Sequence, residues 1–382
     1  MAEQTCSESV DPAGLGLDDR AWEISSYRMG DKAGILALIR DEYGEVDLAD
    51  GAYYDWLREA SPPDVGQWVV REKMTGRVIS AASMVGVRAI WKGQEIKMLL
   101  GFNMVVAPEY RRQGIHTTLI RQTREEVRAA GFCLSTIFPN PRSMPQLERS
   151  KTYYHVSQVP LLIRPLNMRE LAGARASNAL VTEAATLGWA LAGRSLWREQ
   201  VPPQLASPLR ISEDLTLGTG YDCFWNRVRT KYDLMLVRDR AFLRWRFLEI
   251  PTREYHILSA RKGDEILGYI VLRLTEVRGI MTGLIADFLV LAGEEGNRAG
   301  QHLLHAALER FKEANMPLAG GLVLPHTQEY ALMRRAGFLS APKLFAPQPF
   351  HLFVRSHCDD PPLEALTRPE TWYVSIADHD AV

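Results

Sequence analysis

The chain has 382 residues, 46% of them hydrophobic and 24% charged, which favours two domains of ordinary globular composition. Its 45 basic and 46 acidic side chains leave a net charge of −1, which argues against a nucleic-acid-coating protein with its basic excess. The four cysteines, Cys6, Cys133, Cys223 and Cys358, have no metal-ligand spacing and fit reduced thiols in a cytosolic protein better than a disulfide framework.

Residues 1–20 are polar, contain Gly and Pro, and read as a flexible leader without the basic and apolar regions of a signal peptide. Trp22–Arg28 reads as a strand, Asp31–Tyr43 as a helix with Ile35, Leu36, Leu38 and Ile39 on its apolar side, and Tyr53–Leu57 as a short helix ended by Pro62-Pro63. Gln67–Glu72 and Arg77–Val87 form a predicted hairpin around Met74-Thr75-Gly76, and Glu95–Val106 is a further strand. A helix follows over Gln113–Ala130, with Ile115, Leu119 and Val127 on one face. Strand Phe132–Phe138, a turn at Pro139-Asn140-Pro141, a short helix over Ser143–Arg149 and a strand over Val159–Ile163 complete a first domain, taken as 21–167.

Residues 168–209 are Ala- and Leu-rich and read as a helical linker; its most apolar part, Leu180–Trp197, is interrupted by Glu183 and Arg194 and is too polar for a membrane span. The second domain, 210–382, repeats the order of the first: hairpin Tyr255–Ala260/Ile266–Leu274, strand Gly283–Leu291, helix Gly300–Glu313, strand Pro317–Val323 and helix Thr327–Arg335. That repetition implies two copies of one α/β unit.

The stretch Val105–Thr117 carries the chemistry. A strand ends at Pro108 and an Arg-rich, Gly-containing turn opens directly into an amphipathic helix. The first amides of such a helix point outward together, and its dipole adds partial positive charge. Gly114 permits close backbone approach, and Arg111 and Arg112 add charge. The whole reads as a pyrophosphate cradle.

Arg111-Arg112-Gln113-Gly114-Ile115-His116 resembles motif A of the GNAT acetyltransferases, with His116 in place of the usual final Gly or Ala. Phe138-Pro139-Asn140 with Ser143-Met144-Pro145 and Phe242-Leu243-Arg244-Trp245-Arg246-Phe247 resemble segments of a bacterial tandem-GNAT subgroup. The resemblance implies an α+β fold of two tandem domains, each a mixed, mainly antiparallel sheet flanked by helices. It implies acetyl-CoA or another acyl-CoA as cosubstrate, with Met104, Val105 and Val106 at the thioester end. Arg111, Arg112, Gln113, Gly114, Ile115, His116 and Thr117 would hold the phosphates, and Asn140 joins this cofactor-binding set.

Acyl transfer to an amine needs a base for the amine and an acid for the thiolate. The motif B tyrosine of the family is missing; its position falls near Leu147 in the first half and at Met333 in the second. The candidates are Tyr154 or its neighbour Tyr153 as acid, His116 as base, and Asn103 as an orienting amide; Asp55 is the candidate for binding the amine. The second half carries Glu294 and Glu295 where phosphates would approach, so it reads as degenerate. The expectation is a cytoplasmic N-acyltransferase for a small-molecule amine, with no metal, nucleic acid or membrane partner and with oligomers possible. The alternatives are a non-catalytic acyl-CoA-binding or scaffold protein, and transfer to a hydroxyl or a protein lysine.

Overall fold

The computed structural model describes residues 20–59, 68–173, 209–342 and 348–379. Its framework divides into two units, one of residues 1–86 with 101–132 and one of residues 87–100 with 133–382. The expected leader up to residue 19 lies outside the described residues, as do 174–208 of the expected linker, including the Leu180–Trp197 stretch. Among the described residues no helix is long and apolar enough to cross a membrane.

In the first unit, β1 (Trp22–Ser26), β2 (Trp68–Glu72), β3 (Val78–Trp91) and β4 (Gln94–Val106) are sheet neighbours in that order, β3 and β4 continuing in sequence into the second unit. β1 runs antiparallel to β2 from Trp22↔Glu72 to Ser26↔Trp68, and β2 runs antiparallel to β3. The turn between β2 and β3 is possible because Gly76 takes φ +71° without a Cβ clash. Helix Lys32–Tyr43 buries Ile35, Leu38 and Ile39, and helix Ile115–Ala129 buries Ile115, Leu119 and Val127, the side predicted from their spacing. Trp68 Nε1 donates to Glu126 Oε2 at 2.8 Å and Arg20 Nη1 donates to the buried Thr118 Oγ1 at 2.7 Å, fixing the second helix against this unit's sheet.

The remaining strands are β5 (Phe132–Ile137), β6 (Tyr154–Val159), β7 (Leu161–Pro165), β8 (Arg210–Glu213), β9 (Leu234–Leu236), β10 (His256–Lys262), β11 (Glu265–Val277), β12 (Ile280–Val290), β13 (Leu318–Leu322), β14 (Leu339–Ser340) and β15 (Phe350–Ser356). Within the second unit β15 lies between β5 and β6, antiparallel to both, and β9 pairs with Ala89–Trp91 of β3. The second sheet has the order β14-β7-β13-β12-β11-β10-β8, and its one parallel pair, β12 with β13, is joined through helix Gly293–Glu313. The strand expected over Val159–Ile163 is instead broken at Pro160. Its two parts belong to different sheets, β6 beside β15 and β7 beside β13. Proline has no N–H to continue a ladder, so the break falls where the chemistry places it.

Two tight turns repeat between the halves. Lys92-Gly93 joins β3 to β4 with φ +46° and +84°, and Arg278-Gly279 joins β11 to β12 with φ +51° and +79°. Both are two-residue hairpins whose positive φ pair matches strand twist. Helix Gly293–Glu313 starts seven residues before its expected Gly300 start, running straight off the end of β12. It lies so close to the sheet that a Cβ on Gly283 would stand 2.3 Å from the Phe311 ring.

Candidate functional site

In the first unit β4 ends at Val106, a single 3-10 turn spans Pro108–Tyr110, and helix Ile115–Ala129 opens after Gly114. Arg112 at φ +64° and Gly114 at φ +74° both occupy the left-handed region. Such residues fold a loop into a concavity toward which backbone amides converge. The first bond of the helix runs from Thr118 N–H to Gly114 C=O at 2.9 Å. The amides of Ile115, His116 and Thr117 therefore precede the i→i−4 ladder, at the positive end of the helix dipole.

Side chains shape the same turn. Arg77 pairs with Glu109 at 2.5 Å, the Tyr110 hydroxyl donates to Glu72, and Gln113 Nε2 donates to the Glu109 carbonyl at 3.2 Å. Arg111 points back: its Nε donates to the Val106 carbonyl at 3.1 Å and its Nη2 pairs with Glu42. Arg112 is exposed and makes no ion pair or hydrogen bond among the described residues, so it carries the unneutralised charge of the turn. Burial lowers the His116 pKa to about 4, so its ring is neutral near pH 7 and adds no cation beside Arg112. Thr117 is exposed, with Ile115 buried beneath it.

Asp55 is held by Lys32, whose Nζ lies 2.6 Å from both carboxylate oxygens. The side chain of Asn103 lies outside the described residues. Tyr153 and Tyr154, in the second unit, have opposite environments: Tyr153 is in the core, where burial raises its pKa and Ser135 bonds to it, whereas Tyr154 is 42% exposed. Asn140 caps its own turn, its Oδ1 accepting from the Arg142 and Ser143 amides at 3.0 Å each. Leu147, at the position of the missing tyrosine, is buried.

The equivalent turn of the second half is built differently. Glu294 and Glu295 stand in the first turn of helix Gly293–Glu313, paired with Arg298 at 3.0 Å and Lys262 at 2.8 Å. Gly296 and Gly300 serve packing: a Cβ would stand 1.7 Å from the Leu291 carbonyl oxygen at the first and 2.5 Å from Leu332 Cδ1 at the second. The β12–β13 register ends at Ile285↔Gly321, while β12 continues to Val290. Because Leu291 N–H donates to Leu267 C=O on the β11 side at 2.9 Å, Phe288 and Val290 present their backbone groups to the opposite side.

That edge is closed by side chains. The Tyr373 hydroxyl donates to the Phe288 carbonyl, Lys231 Nζ donates to the Val290 carbonyl at 2.8 Å, and the Val290 amide donates to Glu329 Oε1 at 3.2 Å. Lys231 and the Tyr232 hydroxyl also donate to Glu329, a fully buried carboxylate. Beside them Asp287, which aligns with Asn103, accepts from Arg238 Nε at 3.0 Å, Tyr269 at 2.6 Å and Ser375 at 2.7 Å. Arg238 further pairs with Asp378 at 2.6 Å, and Arg246 donates to the Ala377 and His379 carbonyls. Arg240 and Arg244, by contrast, form exposed pairs with Asp222 and Glu249. Lys231, Tyr232 and Glu329 were invisible to sequence reading because their partnership spans nearly a hundred positions and matches no motif.

Comparisons with known proteins agree with this architecture. The family described as "Acetyltransferase (GNAT) domain" matches residues 23–154, and "Acetyltransferase (GNAT) family" matches residues 223–338. Among solved structures, a GCN5-related N-acetyltransferase from Anabaena variabilis is 15% identical with a TM-score of 0.58, covering 88% of this chain and 73% of its own. An N-myristoyltransferase of Saccharomyces cerevisiae with bound myristoyl-CoA is 14% identical with a TM-score of 0.55, covering 93% and 84%. A probable N-acyltransferase from Enterococcus faecalis is 11% identical with a TM-score of 0.59, covering 88% and 72%. No curated protein sequence matches the chain. At these identities the solved structures speak for the fold alone.

Proposed function

Because this chain belongs to the GNAT acetyltransferases and carries two such domains in tandem, we propose that its first domain binds acetyl-CoA, or another acyl-CoA, and transfers the acyl group to the amine of a small molecule. The observation that carries the reading is the strand–turn–helix of Val106–Thr118, with left-handed Arg112 and Gly114 and an unneutralised guanidinium at a helix N-terminus. Backbone amides and the Arg112 charge are a donor set suited to a pyrophosphate. The second domain lacks that fit: acids occupy its helix start and side chains close its strand edge. One acyl-CoA per chain follows.

A bound acyl-CoA supplies a thioester-activated acyl group and a thiolate leaving group. The chain then holds the phosphates with Arg112 and the amides of Gly114–Thr117, while Arg111, braced between Glu42 and Val106, fixes the path of the turn. Burial holds His116 neutral near pH 7, and a pKa of about 4 makes it a weak proton acceptor for an ammonium. Of the two adjacent tyrosines, Tyr153 is enclosed in the core and Tyr154 is exposed, so Tyr154 is the one kept as the candidate acid. Asp55 could take an amine only by exchanging it for Lys32.

A second reading, acyl-CoA binding without transfer, is favoured by Leu147 where the family keeps a tyrosine. Transfer to a hydroxyl or a protein lysine is the variant that changes only the acceptor. Calorimetric titration with acetyl-CoA, followed by thiol release against panels of amines, alcohols and lysine-containing peptides, separates these. Binding with thiol release on an amine supports transfer; binding with none on a broad panel supports the second reading; no binding overturns both.

A further inference from the structure

β15 is inserted between β5 and the edge strand β6. Its pairing with β6 brings together two histidines that lie 196 positions apart in sequence. Phe353 pairs with His155 and His351 with Gln158, across a register shift between Leu352 and Phe353. The result is a diagonal pair on one face: the rings are 5.1 Å apart, and His155 Nε2 lies 3.0 Å from His351 Nδ1. His155 is exposed and His351 half-buried, so the gap between the two nitrogens is approached from solvent. The Phe353 ring, 5.1 Å from His155, restricts how that imidazole turns.

We propose that His155 and His351 form a two-imidazole binding site for a first-row transition-metal ion, Zn2+ or Ni2+, which clamps β6 to β15. Metal–imidazole bonds are about 2.0–2.1 Å long, so two nitrogens on one ion stand roughly 2.9 Å apart at a right angle and roughly 3.4 Å apart at a tetrahedral one. The observed 3.0 Å lies within that span, so the ion replaces the shared proton without moving either strand. Imidazole ligands select zinc, nickel and copper over magnesium and calcium, which prefer oxygen. The Glu148 carboxylate, whose field already reaches His351, offsets part of the added positive charge. Water or an external ligand fills the remaining positions, since no group of three or more His, Cys, Asp or Glu side chains suited to a metal occurs among the described residues.

The test uses the full chain without a polyhistidine tag, freed of metal with chelator and titrated with ZnCl2 by calorimetry and thermal melting. The wild type should bind Zn2+ and melt higher with it. His155→Gln and His351→Gln should each weaken that binding at least tenfold and abolish the melting shift, while melting like wild type in chelator. MgCl2 should give no shift. Should His351→Gln melt lower in chelator, the exposed His155→Gln carries the test alone. Zn2+ binding that is absent in the wild type, survives His155→Gln unchanged, or is lost instead in His302→Gln, whose helix also carries His305, overturns the proposal.

Discussion

Glu329→Ala perturbs the closed strand edge of the second domain most sharply. The carboxylate is fully buried and accepts from Lys231 Nζ at 2.7 Å, from the Val290 amide at 3.2 Å and from the Tyr232 hydroxyl. Removing it strands an ammonium that is itself only 8% exposed, whose pKa burial already lowers. Breaking a buried pair by deleting one partner costs about 3–5 kcal/mol. Urea unfolding followed by tryptophan fluorescence should show a loss of that size. The double variant Lys231→Met/Glu329→Met removes both charges and should recover at least about 2 kcal/mol relative to the sum of the Lys231→Met and Glu329→Met losses, because the residual cost is then hydrogen bonding to Val290 and Tyr232 rather than an orphaned ion. A single-variant loss below about 1 kcal/mol, or additive single and double losses, would refute the reasoning that this cluster seals the edge.

Other outcomes follow from the first domain. Arg112→Ala should weaken acyl-CoA binding by roughly tenfold or more, since a hydrogen bond to a charged group is worth about 1.5–3 kcal/mol; titration calorimetry measures it, with little change in stability. Arg111→Ala should lower the melting temperature as well as affinity, because it also removes the bonds to Glu42 and the Val106 carbonyl. Gly114→Ala should destabilise by about 1–2 kcal/mol from its left-handed φ of +74° alone, as read by urea titration. His116 has a folded pKa of about 4 against an ordinary 6.5. The unfolded chain therefore binds the extra proton first, and the stability this group contributes is complete above pH 6.5 and lost as pH falls toward 4. His116→Gln should flatten that part of the stability profile, measured by melting at pH 7, 5.5 and 4.5.

The parts of the fold that local chemistry dictates were readable from the chain. The amphipathic spacing of Ile115, Leu119 and Val127, the hairpins around Gly76 and Gly263, and Thr327 opening a helix, its hydroxyl accepting from Tyr330 N–H at 3.1 Å, all depend on neighbours a few positions away. The Arg-rich turn was equally local, whereas Glu294 and Glu295, expected in a turn before Gly300, open the second domain's long helix instead. Boundaries slipped where the signal was weak: Lys92-Gly93 and Arg278-Gly279 make tight hairpins without the Asn-Gly or Asp-Gly that usually marks them. What stayed hidden is nonlocal. Nothing near Phe350–Ser356 announces that it inserts between β5 and β6, because its ladder partners lie about two hundred positions earlier. The roles of Arg111 and Asp55 were hidden for the same reason. Each is engaged by a residue of the first helix, Glu42 and Lys32, that only the folded chain brings near.

We propose that one of the two tandem GNAT domains takes an acyl-CoA, at the Arg112–Thr117 turn. Titration of the full chain with acetyl-CoA by calorimetry tests it directly. One equivalent per chain is expected, with binding lost in Gly114→Glu and unchanged in Glu295→Gln. No binding, two equivalents, or wild-type affinity in Gly114→Glu would contradict it.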